Sequence, residues 1–177
     1  RPAEGAQKSK SLASGMRNAA DRLQSLSQQL KQKRSADMAG RLAGLARDVL
    51  MLSGQQEDLE QSPGAPEGMA RRLAGLSEGA RMVAESLASL AGRSMAVSPR
   101  LGQEMASAVN AMAAAGRSLN EGQVGAARPQ MGQARVALNN VARALMDALG
   151  QAMQGGGMSG EMESLMEQLS QMAGEQM

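Results

Sequence analysis

The chain has 177 residues with 19 basic and 17 acidic groups, a formal net charge of +2, and its length suits one domain of ordinary size. Phe, Trp, Tyr, Cys, His, Ile and Thr are all absent and only seven Val remain, while Ala, Leu, Met, Gln, Glu and Arg abound, which excludes a β-rich fold. Without Cys or His there is no disulfide, thiolate nucleophile, imidazole base or zinc site.

The sequence opens at Arg1-Pro2 and stops at Met177 inside an apolar helical pattern, so it is expected to be a segment of something larger. Leu12, Met16, Ala19, Leu23, Leu26 and Leu30 recur in alternating steps of four and three. Met38, Leu42, Leu45, Val49, Leu52, Gln56 and Leu59 repeat the pattern with one polar interruption, and Met69, Leu73, Leu76, Ala80, Val83, Leu87 and Leu90 repeat it again. Such rows lie along one side of a helix, and the 3.5-residue average favours left-handed packing against a neighbour. Leu30 to Met38 is a step of eight; a turn near Lys33-Arg34-Ser35, or a skipped residue in one long helix, would produce it, and a break or kink there is the preferred expectation.

Ser62-Pro63-Gly64-Ala65-Pro66 cannot continue a helix, since two prolines remove donors and the glycine loosens the backbone. Ser98-Pro99 reads as an N-cap with proline at the first helical position. Asn120-Glu121-Gly122 reads as a helix stop, with the next helix starting between Gln123 and Pro129 and carrying Met131, Ala134, Leu138, Val141, Leu145 and Leu149 on one face. Gly155 to Gly160 is a linker, and Glu161 to Ala173 is an amphipathic piece with Met162, Leu165, Met166, Leu169 and Met172 on its apolar side.

The expected fold is therefore all-α: an elongated antiparallel bundle or coiled-coil-like array of five to six helices. Its parts are an N-terminal helical pair or long kinked helix over 1–61, a bundle segment over 62–154, a Gly-rich linker over 155–160 and a Met-rich helix over 161–177. The longest uncharged stretch, Ala148 to Gly160, is short and glycine-rich, so no spanning helix is expected and the segment reads as soluble. The pentapeptide Arg41-Leu42-Ala43-Gly44-Leu45 recurs at Arg72-Leu73-Ala74-Gly75-Leu76 without a third copy, too little for a repeat array. Gly40 and Gly44, then Gly75 and Gly79, are four apart; they mark either a close helix contact or a compositional drift toward glycine.

Charge is segregated. Residues 1–50 hold ten bases and four acids, 51–67 four acids alone, 68–143 nine bases and four acids, and 144–177 five acids alone. A basic helix containing Lys8, Arg17, Arg22, Lys31 and Arg34 could meet nucleic acid or an anionic lipid surface. Against this stands the lack of any aromatic to stack on a base or anchor in a membrane. Glu57, Asp58 and Glu60 are the densest acidic group, but they precede a Pro/Gly turn where carboxylates are usually solvated, so no catalytic residue, cofactor or small-molecule substrate is expected. The sixteen Met could in principle offer thioethers to Cu(I), with Met158, Met162 and Met166 on one face, yet without His or Cys beside them a soft core or adaptable contact surface is the better reading. The expected partner is protein: another copy, or other helices of the parent chain.

One stretch carries a resemblance. Leu50-Met51-Leu52-Ser53-Gly54-Gln55-Gln56-Glu57-Asp58-Leu59 is similar to an L-x-L-S-x-x-Q-E-x-L element of a family of large bacterial envelope proteins, which have membrane helices near the N-terminus and a long helical region rich in Gln and Met. Glu85-Ser86-Leu87-Ala88-Ser89-Leu90 resembles that family's next helix, and Leu138-Asn139-Asn140-Val141-Ala142-Arg143-Ala144-Leu145 its L-N-x-L-A-x-x-L helix, followed as here by a Gly/Met linker and a Gln/Met helix. The resemblance spans roughly residues 10–177. It departs at Gly54, where the family more often has an aromatic residue, and in a composition poorer in Gln. It implies a helical architecture and an envelope location, on an unspecified side of the membrane, with no chemistry to carry over. Ser53, Gln56, Glu57, Asn139 and Asn140 are expected to be the polar positions that fix helix register, because buried polar groups need partners.

Overall fold

The structure, a computed structural model, describes residues 2–61, 64–92, 98–154 and 167, and the side chains of all of these except 2–14, 17 and 154. Four α-helices make up the described fold: α1 (Pro2–Gln61), α2 (Pro66–Ala91), α3 (Pro99–Asn120) and α4 (Val124–Gln154). The helix expected over 161–173 and the linker over 155–160 lie outside the described residues.

The helix boundaries follow local chemistry. Pro66 opens α2, its missing N–H costing nothing at a position that has no intrahelical acceptor. Ser98 caps α3, its hydroxyl accepting from the Arg100 N–H at 3.3 Å, with Pro99 as the first helical residue. Beyond Asn120 the chain reverses at Gly122, whose φ of +72° lies in the left-handed region that glycine adopts without penalty. The Gln123 N–H then bonds the Ser118 carbonyl at 2.8 Å and closes the turn. Pro129 sits early in α4.

The expected break at Lys33-Arg34-Ser35 is absent, because α1 is helical without interruption for 60 residues. Nothing in Lys31 to Asp37 stops a helix, and Lys, Gln, Arg and Ala all favour one. The step of eight is absorbed by rotation instead: at 100° per residue it moves the apolar row about 80° around the helix axis. One long helix thus carries two apolar rows that face different directions.

The helices pack in a ring in which α1 meets α2 and α4, and α3 meets α2 and α4. Neighbours are antiparallel. Ser53 lies against Asn139 and Glu60 against Arg135 across α1 and α4, while Ser118 reaches Gln130 and Glu104 lies beside Asn140 across α3 and α4. Arg41 and Asp48 of α1 share a groove with Met82, Glu85 and Ser89 of α2. One continuous apolar core runs from Ala39 to Met153, so residues on both sides of the 61/62 connection share it. Leu42, Leu50 and Leu59 of α1, Leu73 and Leu87 of α2, Met105, Met112 and Leu119 of α3, and Met131, Leu138 and Leu145 of α4 are fully enclosed. Thioethers fill the volume that aromatic rings occupy in most cores.

The small-residue pattern resolves unevenly. A Cβ placed on Gly79 would lie 3.1 Å from Leu52 Cδ2, so this glycine marks a close approach of α2 to α1. Gly40, Gly44 and Gly75 face open space, and there the contact-face expectation fails.

Candidate functional site

Two features of α1 stand apart from ordinary core packing: its projecting first half, and the polar seam it forms with α4. At 1.5 Å per residue the 60 residues of α1 extend about 90 Å, whereas the 31 residues of α4, the longest of its neighbours, extend about 46 Å. Among the described side chains of α1 the first buried one is Ala39, and those from Gly15 to Asp37 are exposed apart from half-buried Ser35. The second, third and fourth heptad rows read from the sequence are buried along the core from Leu42 onward. The first is not: Met16 is 70 % exposed, Leu23 68 %, Leu26 53 % and Leu30 55 %. These four side chains fall within an arc of about 80° along the helix. They form a stripe for packing, set on a helix that the four-helix ring does not cover. Clustered apolar side chains on a surface mark a place where something else docks.

The residues of the expected basic face do not form one stripe. Arg22 and Lys31 are nine positions apart, which puts them on opposite sides of α1. Arg22, Lys31 and Arg34 are exposed, while the side chains of Lys8 and Arg17 lie outside those described. Positive charge therefore surrounds the projecting helix rather than lining a face of it.

The polar seam lies between the second half of α1 and α4. The Ser53 hydroxyl donates to Asn139 Oδ1 at 2.6 Å, and both side chains are held between the helices. Three residues on, Gln56 is fully buried; its Nε2 donates to the Met131 carbonyl at 3.4 Å, and its Oε1 has no partner among the described residues. One further turn along, Arg135 Nε donates to Glu60 Oε2 at 3.3 Å, while Glu60 Oε1 is buried without a partner. Of the five polar positions singled out in the sequence, the structure brings Ser53, Gln56 and Asn139 into this seam. Glu57 is turned aside and accepts from Gln61 within its own helix at 3.1 Å. Asn140 is exposed, beside Arg100, Glu104 and Asp147 at the α3–α4 groove. The Glu60–Arg135 pair was missed, although Glu60 follows Gln56 by four and Arg135 follows Met131 by four, the spacing that sets each pair on one face.

In the observed register of α4 on α1 the seam joins Ser53 to Asn139, Gln56 to the Met131 carbonyl and Glu60 to Arg135. Sliding α4 along α1 by one turn would strip Ser53 and Asn139 of each other and separate Glu60 from Arg135, and each unmet buried group costs about 1–3 kcal/mol. Glu57, Asp58 and Glu60 do not converge: Glu57 bonds along its own helix, Asp58 is exposed, and Glu60 turns to Arg135. Among the described residues no group of three His, Cys, Asp or Glu is placed to hold a metal ion, and no helix is long and apolar enough to cross a membrane. No protein-family model, curated protein or solved structure matches the chain.

Proposed function

We propose that this chain is a non-enzymatic structural or protein-interaction segment of a larger bacterial envelope protein, acting through coiled-coil-like packing of Leu, Met and Ala helix faces. The observation that carries the reading is the exposed row Met16, Leu23, Leu26 and Leu30 on a helix that outreaches its bundle. Complete burial of a Leu or Met side chain is worth about 1.5–3 kcal/mol. Four side chains already half to two-thirds exposed would add several kcal/mol on being covered, before the cost of ordering the partner. The polar seam supports the same reading, because its paired groups favour one register of α4 on the C-terminal half of α1. The envelope location rests on the resemblance of residues 50–59 and 138–145 described above.

The experiment is sedimentation velocity over a wide range of concentrations, paired with titration against anionic phospholipid vesicles and duplex DNA from low to molar salt. Helix packing predicts no tight binding to either polyanion at moderate salt, with the hydrodynamic state unchanged or more strongly associated in sulfate. Polyanion binding that weakens steeply with salt, and that Lys31→Glu with Arg34→Glu abolishes while Leu26→Glu leaves intact, would overturn it in favour of peripheral lipid or nucleic-acid binding.

A further inference from the structure

Two surfaces of α1 that no described residue covers lie on one side of the same helix. The row Met16, Leu23, Leu26 and Leu30 is exposed on the projecting half. Further along, Gly44, Leu45 and Asp48 line one wall of an open groove, and Met82, Glu85 and Leu90 of α2 line the other. At 100° per residue the row and the groove wall centre within about 10° of each other around the α1 axis, so one straight helix fits along both. The groove offers apolar contact: Leu45 and Leu90 border it, Met82 is 60 % exposed, and the space above Gly44 is open.

Charge says what fits there. Arg22, Lys31, Lys33 and Arg34 are exposed beside the row, and Asp21, the only acid between Gly15 and Ala36, sits about 180° away from it. Toward the bundle the same side turns acidic, with Asp37 just before the groove, Asp48 in one wall and Glu85 in the other. None of Arg22, Arg34, Asp37 and Asp48 makes an ion pair among the described residues. A face that is positive at one end and negative at the other complements its own reverse. Two copies of α1 laid antiparallel, with the two-fold axis between Arg34 and Asp37, set Arg34 of each against Asp37 of the other. Counting outward from that axis, Leu26 falls level with Leu45, and Arg22 falls within one residue of Asp48. Arg41 falls level with Leu30, where its aliphatic stem lies along the leucine. The overlap from Met16 to Gln55 is about 60 Å long, and both copies use the same surface, as a closed two-fold contact requires. A parallel pairing would instead stack Arg34 on Arg34 and Asp37 on Asp37 and leave both grooves empty.

We infer that two copies of this chain associate antiparallel through α1, the exposed row of each seated in the α1–α2 groove of the other and Arg34 of each paired with Asp37 of its partner. The inference rests on the reading of the row as a packing surface, and it names the occupant.

Sedimentation equilibrium of the full chain in moderate salt is expected to show a monomer–dimer equilibrium. Arg34→Asp and Asp37→Arg should each weaken it on the order of tenfold or more, and the two together should restore it, since the exchanged pair meets again across the axis. Both residues are exposed, so neither change disturbs the core. Register is read by mild oxidation, in a chain without native cysteine. Leu26→Cys chains mixed with Gly44→Cys chains should form mixed disulfide dimers on the order of ten times faster than Gln28→Cys chains mixed with the same partner, because Gln28 lies on the far side of α1. A wild type that stays monomeric at every concentration, a dimer that Asp37→Arg leaves unchanged, or equal cross-linking rates in the two mixtures would each overturn the inference. The packing reading itself fails on a different result, the salt-sensitive binding of vesicles or DNA.

Discussion

Replacing Gln56 by methionine is predicted to stabilise the bundle. Gln56 is wholly enclosed between α1 and α4, yet only half of its amide is used. Its bond to the Met131 carbonyl, at 3.4 Å, is longer than the usual 2.7–3.2 Å range and is worth no more than about 1 kcal/mol. The buried Oε1 without a partner costs about 1–3 kcal/mol of lost hydration. Methionine has the same unbranched reach and fills irregular apolar space without polar demands. The balance favours Gln56→Met by about 1 kcal/mol, a rise in melting temperature of about 2–4 °C for a chain of this size. Gln56→Ala lacks the side chain to fill the site and should cost about 1–3 kcal/mol through the space left behind. The assay is urea unfolding followed by circular dichroism, read as a shift of midpoint at constant slope. A loss of more than about 1 kcal/mol in Gln56→Met, at unchanged slope, would refute the reasoning, since it would mean the amide is fully engaged in the folded protein.

Asn139→Ala should destabilise by about 1–2 kcal/mol because it leaves the buried Ser53 hydroxyl unpaired, and a double-mutant cycle with Ser53→Ala should return a coupling of about 0.5–1.5 kcal/mol; additive single effects would mean the 2.6 Å contact carries no energy. Leu42→Ala, at a fully enclosed site, should cost about 2–5 kcal/mol. The same truncation at Arg-flanked Leu23 should cost far less in global unfolding, and similar losses at the two sites would show that the projecting half shares the core. Gly44→Ala and Gly75→Ala meet open space and should each stabilise by about 0.5–1 kcal/mol in urea unfolding. Gly79→Ala meets Leu52 at 3.1 Å and should gain less than either, so an equal gain at all three would place Gly79 in a looser contact than the structure gives it.

The parts of this fold most legible in the sequence are those set by residues acting on their immediate neighbours. Ser98-Pro99 starts a helix and Gly122 ends one because capping and positive φ are properties of two or three residues. The rows beginning at Met69 and Met131 each fall on one helix face because step spacing alone determines a face, and both are buried along their whole length. Of the two readings open near Lys33, a helical pair and one long helix, the chain takes the second; a register slip looks the same in sequence whether the chain turns or the seam merely rotates. Periodicity also says which side of a helix is apolar without saying whether anything lies over it, so the exposed row of Leu23, Leu26 and Leu30 and the buried row of Leu42, Leu45 and Val49 are indistinguishable before folding. The polar seam was partly legible through Ser53, Gln56 and Asn139. Glu60 escaped because a carboxylate before a Pro/Gly turn is usually solvated, and its pairing with Arg135 depends on a helix 75 residues away.

Backbone hydrogen–deuterium exchange over residues 16–34 of the full chain, wild type against Leu26→Glu, tests the central claim that this half of α1 is a packing surface. The account predicts amides protected on the order of tenfold or more beyond the glutamate variant, and protection that persists into molar salt because apolar contact rather than charge maintains it. Equal exchange in the two proteins at every protein concentration would contradict packing of this row within the chain or between its copies, since a row that touches nothing cannot be loosened by placing a charge there.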